Sequence, residues 1–548
     1  MDLLPQRSDW RAATRSPGRD IAAGLTVAVI ALPLALGFGV ASGLGARAGI
    51  TTAVVAGALA AIFGGSNLQV SGPTGAMTVV LVPVVHRFGT DGVLLVGLMA
   101  GVILIVLAFA RVGGYVRYLP TSLVEGFTAG IAVVITLQQV PNLLGVAGGK
   151  TGPVWATAWT GVTGALRHPQ LAPVLIAAAV VATMLIGARR RQRIPFSLLA
   201  VAAATAVTAA LHLPVERLGT LPSGLPAPSV TFFAVSRLGA LLPSALAVAA
   251  LAALESLLSA TVADAMSVSE QHDPNRELFG QGLANIVTPM FGGVPATAAL
   301  ARTAVNVRAG ARSKLAALSH ALTVGLIVTA AAPLVRFIPL SALAGVLIAT
   351  AAQMVSVRSL RALARATRPD AVILAVTLVV TVAFDLVTAV VLGLVAAMIL
   401  ALRAVARSTR LEQMPLETAH HSDEERALLA EHIVAYRVDG PLFFAAAHRF
   451  LLEVTGITDA RVVILRMSRV TTIDATGARV LDDAIKHLES RGVTVLLSGF
   501  RPGHEEVLTA LDLGGHLRSN RLVFDGTPAA IEYARTIVHQ RISSTLGT

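Results

Sequence analysis

The chain contains no cysteine in 548 residues. A disulfide framework, a thiolate metal site and a thiol nucleophile are therefore excluded, although this absence does not separate one redox compartment from another. Charge is also scarce, with Asp, Glu, Lys and Arg at 14% of residues against about 25% in soluble domains. Walker, HExxH, GxSxG and paired-cysteine patterns do not stand out, so an ATP-driven pump or a hydrolase has no support. No enzyme activity and no cofactor is expected. Met1–Arg19 is polar, carries Arg7, Arg11, Arg15 and Arg19, and lacks anything like a cleavage site, so it reads as a cytoplasmic segment and not as a signal peptide.

Apolar residues dominate instead, at 55%. Their long runs mark a multi-pass membrane protein. Fourteen segments are expected. The first seven cover about 20–43, 50–62, 74–85, 92–110, 122–144, 173–187 and 194–211. The second seven cover 241–264, 280–290, a short helix from Ala296, 318–335, 340–354, 370–384 and 386–404. Basic residues test the count, because they concentrate in cytoplasmic loops. With the N-terminus inside, Arg189–Arg191, Arg308/Arg312/Lys314, Arg358/Arg361/Arg365/Arg368 and Arg403/Arg407/Arg410 all fall on the inner side. Outer loops hold isolated residues such as Arg47, Lys150 and Arg336. The net charge of +12 therefore reads as topology in a cell (inner) membrane, with both termini cytoplasmic, and not as a nucleic-acid footprint.

Two breaks organise the segments. Phe63-Gly64-Gly65 precedes the first short helix, and Phe291-Gly292-Gly293 precedes the second. Each short helix is third in its run of seven. Seven is odd, so the runs enter the membrane from opposite sides, which makes a 7+7 inverted repeat (about 20–211 and 241–404) with a midplane site between facing half-helices. Helix N-termini offer free N–H groups and partial positive charge to an anion. Thr74, Thr297 and Ser71 add hydroxyls; Gly75, Ala76, Ala296 and Ala298 let backbone approach a substrate closely; Arg302 adds a full charge. Pro33 kinks the first span beside them.

Glu255 lies in the otherwise apolar AALAALESLLSATVAD stretch. An ionisable group at membrane depth costs several kcal/mol, roughly, unless paired or facing water, and marks a transport pathway by default. The alternative is a Glu–Arg pair that only joins two helices. In the transport reading Glu255 is the coupling group. It binds H+, or holds Na+ together with Ser259 one turn later, and no other metal is expected. Asp264 reads as a salt-bridged helix end more readily than as a proton relay, Glu125 as an interfacial residue, and Gln138 and Gln139 as interhelical hydrogen bonders.

Past Arg410 the composition changes. Residues 411–431 read as a polar linker and 432–548 as a small cytoplasmic α/β domain. Strands are expected at His432–Arg437 and Gly440–Phe444, Arg461–Met467, Val493–Gly499 and Arg521–Phe524. Helices are expected at Ala445–Val454, Ala475–Ser490, Glu505–Leu511 and Pro528–Gln540. Asp474-Ala475-Thr476-Gly477 opens a helix, as a cap or as a phosphate-receptive turn.

The stretches IALPLALGFGVASGL (30–44), FGGSNLQVSGPTGAMTVV (63–80), ALESLLSATVADAM (253–266), FGG…ARTAVN (291–306) and VTTIDATGARVL (470–481) resemble the sulfate permease (SulP) family with a C-terminal STAS domain. The resemblance spans nearly the whole chain. It implies core and gate domains, elevator-type alternating access, a homodimer, and substrates such as sulfate, bicarbonate or C4-dicarboxylates. Sodium-coupled relatives place an acidic residue where Glu255 stands. Bacterial anti-sigma antagonists carry DSSG with a phosphorylated Ser, so Asp474 and Thr476 become regulatory candidates with a protein partner. Two departures are visible. Pro33 is followed by Leu34 where many members have Gln, and Ala299, Leu300 and Ala301 stand where many supply serines. A less polar site shifts the expectation from sulfate towards a carboxylate or bicarbonate. The competing readings are an uncoupled channel-like protein and a membrane sensor signalling through the STAS domain.

Overall fold

A computed structural model describes residues 3–118, 120–146, 154–190, 195–219, 224–267, 271–384, 386–408, 410–414, 432–443, 460–511 and 522–546. Two compact units are present, Met1–Val395 and Ala396–Thr548.

The first unit is helical. A short N-terminal α1 (Arg11–Arg15) is followed by α2 (Pro17–Ala41), α3 (Ala46–Phe63), β1 (Ser71–Gly72) and α4 (Gly75–Phe109). Next come α5 (Thr121–Leu144), α6 (Val154–Arg167), α7 (Leu171–Arg190) and α8 (Phe196–Ala210). The second half runs α9 (Leu238–Met266), α10 (Pro274–Met290), β2 (Thr297–Ala298), α11 (Leu300–Arg308), α12 (Lys314–Val335) and α13 (Leu340–Met354). It ends with α14 (Val357–Ala366), α15 (Arg368–Ala383) and α16 (Leu386–Ser408), the last of which passes into the second unit. Six stretches among the described residues are long and apolar enough to cross a membrane. Among the remaining segments α11 has only 9 residues, as a site built from half-helices requires.

The helices sort into two groups. α2, α3, α4, α9, α10, α11 and α12 pack on one another, while α5, α7, α8, α13 and α15 form a second set. Glycines allow the closest approaches inside each group. A Cβ at Gly49 would lie 2.0 Å from the Ala35 carbonyl oxygen, and one at Gly126 would lie 2.6 Å from that of Leu374. Small residues at helix contacts are the usual means of packing where the hydrophobic effect does not drive association.

The third and fourth segments follow one another without a loop: Gly89, at φ 71° and ψ −170°, separates the two helices that α4 joins. Two details depart from the expected segments. The second short helix begins at Leu300, not at Ala296, because the residues before it are held extended by strand pairing. Two unanticipated helices, α6 and α14, lie between spans, and both have one polar and one apolar face. Lys150 and Arg191 lie outside the described residues.

The second unit contains a sheet of order β3 (Arg410–Met414), β4 (Ile433–Leu442), β5 (Val462–Ile473), β6 (Thr494–Ser498) and β7 (Val523–Phe524). β3 runs antiparallel to β4, and the remaining pairs are parallel. Helices α17 (Ala475–Ser490), α18 (Pro502–Ala510) and α19 (Thr527–Leu546) accompany it. The core is aliphatic, with Val463, Ile464, Leu465, Val495 and Leu496 at 0% exposure beneath Leu481 and Leu488 of α17. Residues 410–414, placed in or beside the polar linker by sequence, are an edge strand. Arg437 pairs there with Glu412, and Leu411 packs against the core. The two strands expected around Val438-Asp439-Gly440 are one strand with irregular register at that point. The expected helix at Ala445–Val454 lies outside the described residues.

Candidate functional site

The two extended breaks meet. Ser71 pairs with Ala298 and Gly72 with Thr297 in a two-residue antiparallel bridge, one strand from each repeat. Each strand leads into a helix: Thr74 is the N-cap of α4, and Ala299 that of α11. Neither cap's side chain accepts from an N–H of its own helix. The first N–H groups of both helices have no intrahelical acceptor, because a helix begins bonding only four residues in.

Buried polar side chains hold the bridge in register. Asn285 of α10 accepts from the Ala296 N–H at 2.8 Å and donates to the Ala296 carbonyl at 2.9 Å. Ser256 of α9 accepts from the Ala298 N–H at 3.2 Å and lies 3.0 Å from the Thr297 hydroxyl. Gln281 donates to the Ser71 hydroxyl at 2.6 Å. The support is reciprocal between repeats. Glu277 accepts from the N–H groups of Gly65 and Ser66 in the first break, while Thr52 of α3 donates to the Val294 carbonyl in the second. The FGG triplets fit this contact: a Cβ at Gly65 would lie 2.0 Å from the Asp273 carbonyl oxygen, and Gly292 has φ +69°.

A cavity of about 230 Å³ opens beside the bridge. Thr74, Gly75, Glu255, Ala298 and Arg302 line it, together with Leu34 and Phe38 of α2. Thr128 of α5 and Thr350, Gln353 and Met354 of α13 close it from the other helix group. Its electrostatics come from two groups. Thr74 donates to Glu255 Oε2 at 3.0 Å. Arg302, 3% exposed, donates from Nη2 to the Pro73 carbonyl at 2.9 Å, and its buried Nη1 has no partner among the described residues. Gly72 is required here, since a Cβ would sit 2.4 Å from Arg302 Nη1. A guanidinium with a spare donor, two uncapped helix starts and a carboxylate on a hydroxyl can together bind an anion and a cation side by side.

The chain matches the model of the sulfate permease family over residues 18–377 and that of the STAS domain over 427–525. It is 32% identical to the putative sulfate transporter YvdB of Bacillus subtilis over 504 residues, covering 89% of this chain and 93% of that one. It is 30% identical to the bicarbonate transporter BicA of Synechocystis sp. over 500 residues, 88% of each chain. The chain belongs to the sulfate permease family. Its fold follows that of SLC26A9, with a TM-score of 0.82 at 18% identity over 96% of this chain and 92% of that one. The architecture is therefore the fourteen-segment inverted repeat with a STAS domain, in a multi-pass membrane anion transporter and not an enzyme.

Within this sulfate permease family member, the anticipated residues divide. Thr74, Gly75, Ala298, Arg302 and Glu255 face the cavity. Ala76, Ala296 and Thr297 are buried behind it, and Thr297 serves the bridge. Pro33 is interior to α2, and its neighbour Leu34 reaches the cavity instead. Ser259 does not join Glu255; it donates to Thr303 at 3.0 Å, on the side where Thr303 also accepts from the Val70 N–H. Asp264 is the paired helix end, with Oδ2 2.6 Å from His272 Nδ1. Glu125 accepts from Ser359 at 2.8 Å. Among the described residues Gln138 and Gln139 show no interhelical bond: Gln139 accepts from Asn142, one turn on in the same helix, and the amide atoms of Gln138 are buried without partners. In the STAS domain Asp474 caps α17, accepting from the Gly477 N–H at 2.7 Å, and Thr476 is exposed in its first turn.

Sequence reasoning missed Ser256, Gln281 and Asn285, which shape the site, and Thr128, Thr350, Gln353 and Met354, which line it. The signal was present for some of them. Glu277, Gln281 and Asn285 recur at four-residue spacing in ELFGQGLAN, a polar stripe on one face of the helix.

Proposed function

We propose that this protein is a secondary active transporter that carries a small anion in symport with H+ or Na+. The anion sits between the N-termini of α4 and α11 and accepts from Arg302, and Glu255 carries the coupling ion. One observation supports the reading above others: Arg302 is buried, has an unpartnered Nη1, and lines a cavity of about 230 Å³ that also contains Glu255. Binding of H+ or Na+ at Glu255 removes negative charge from the anion's neighbourhood, so the two ligands bind cooperatively. If Na+ is the partner, Ser259 must turn from Thr303 to reach it.

The lining favours a carboxylate or bicarbonate over sulfate. On the α11 side of the cavity Ala298, Ala299, Leu300 and Ala301 supply no hydroxyl donors, so backbone N–H groups and Arg302 carry the recognition there. Because both helix groups wall the cavity, movement of α2–α4 and α9–α12 past α5–α8 and α13–α16 would alternate its access, as an elevator does. We further infer that the termini are cytoplasmic in a cell membrane and that the chain acts as a homodimer. Asp474 and Thr476 would take a regulatory protein, for which the exposure of Thr476 gives an accessible hydroxyl.

The test is uptake of labelled bicarbonate, fumarate and sulfate into proteoliposomes, with a proton gradient, a sodium gradient or neither, for wild type and Glu255→Gln. One anion should accumulate above equilibrium under one gradient, and the variant should equilibrate that anion without accumulating it. Accumulation unchanged in the variant would make Glu255 structural. Gradient-independent flux in wild type would favour a channel-like protein. No flux under any gradient would leave the sensor reading.

A further inference from the structure

Helix α14 was read from sequence only as a basic loop between two spans. It is ten residues, VRSLRALARA, with Val357–Ala366 joining α13 to α15. Both neighbours are membrane segments, so α14 lies at a membrane surface.

At about 100° per residue the helix divides into three faces. Ser359, Leu360 and Leu363 are half-buried and point towards the protein, where Ser359 donates to Glu125 of α5. Arg358, Arg361 and Arg365 are exposed on the opposite side. Between these faces Val357, 54% exposed, and Ala364 form an uncovered apolar flank. Arg368, at the start of α15, is exposed as well. Among the described residues none of these arginines pairs with a carboxylate. The nearby acids are engaged elsewhere: Glu125 accepts from Ser359, and Asp370 accepts from Thr367 at 2.7 Å.

We propose that α14 is a binding surface for anionic phospholipid headgroups. The apolar flank enters the acyl boundary, and the guanidinium row takes lipid phosphates at headgroup depth. Amphipathic helices with a basic face adopt this position, and anionic leaflets attract basic residues at their surface. Guanidinium suits the task because its fork matches phosphate oxygens. A soluble protein partner has less in its favour, since the apolar flank and the arginine row adjoin and both must be satisfied along one line. Because α14 is fixed to α5 and α15, bound lipid would hold that helix group at a set depth. The proposal rests on the membrane topology and not on the anion-symport reading.

The test is native mass spectrometry of the full chain released from mixed vesicles of phosphatidylglycerol and phosphatidylcholine. About fivefold in retention is expected per arginine removed. Arg358→Gln/Arg361→Gln/Arg365→Gln should therefore retain phosphatidylglycerol about a hundredfold less than wild type. The corresponding triple Lys variant should keep most of it. Arg308→Gln/Arg312→Gln, which removes charge elsewhere, should leave it unchanged. Arg361→Gln alone serves if the triple variant does not insert. Equal retention in the Gln variant, equal loss in the Arg308/Arg312 control, or displacement by soluble glycerophosphate at matched concentration would each overturn the proposal. None of these readouts depends on transport.

Discussion

Arg302→Met removes the guanidinium and keeps an unbranched stem of similar reach. In wild type Nη2 is committed to the Pro73 carbonyl at 2.9 Å, so Nη1 is the donor left for substrate. A charge-assisted hydrogen bond contributes about 1.5–3 kcal/mol. Its loss should raise the Kd of the transported anion by about 13- to 160-fold. Binding should weaken and not vanish, because the uncapped starts of α4 and α11 still present N–H groups and partial positive charge. The assay is equilibrium binding of the labelled anion to purified protein at fixed pH and Na+. The substitution also leaves the Pro73 carbonyl unpaired and Glu255 without its counter-charge. Glu255→Gln/Arg302→Met should therefore unfold at a higher temperature than Arg302→Met alone. A Kd within twofold of wild type, from monodisperse protein, would refute the reasoning. Arg302 would then be a strut between α11 and the chain before α4.

Asn285→Ala leaves the buried N–H and C=O of Ala296 unpaired, at about 1–3 kcal/mol each; thermal unfolding in detergent should show a loss of about 2–6 kcal/mol, with Asn285→Asp, which keeps the acceptor, in between. The N-terminal segment should be pH-sensitive through Asp9. Burial raises its pKa, but hydrogen bonds from Arg276 and the Gln6 N–H, with the charges of Arg276 and Lys314, outweigh burial and lower it. A lowered folded-state pKa contributes stability that is complete above the unfolded value of about 3.9 and is lost as pH falls through the folded one. The hydrogen-exchange protection factor over residues 6–15 should be flat from neutral pH to about 4 and fall below it, whereas Asp9→Asn should be less protected above about pH 4 and converge with wild type at the lowest pH.

The architecture was legible because membrane segments announce themselves by length, and because basic loops and two FGG breaks give independent checks on their count. Arg302 and Glu255 were legible for a related reason: ionisable groups inside apolar runs have few structural excuses. What was not legible is how the breaks are held. Ala296–Ala298 follow Pro295 and precede a helix, so local propensity alone runs the helix back to Ala296. The residues stay extended because Asn285, Ser256 and a strand from the other repeat satisfy their backbone. Those partners are 11, 42 and more than 200 residues away, and no local rule reaches them. The same long-range demand reassigns Ser259. Its position one turn from Glu255 suggests a shared ion site, but a helix face is wider than one cavity, and the hydroxyl is already given to Thr303. Across the bridge, polar residues therefore divide by what they satisfy. Thr52 pairs with backbone of the other repeat, Ser256 and Asn285 with backbone of the second break, and Gln281 with the Ser71 hydroxyl of the first; together they fix where the two helices begin. Arg302 keeps a donor in reserve beside the cavity, and in the transport reading a ligand fills it.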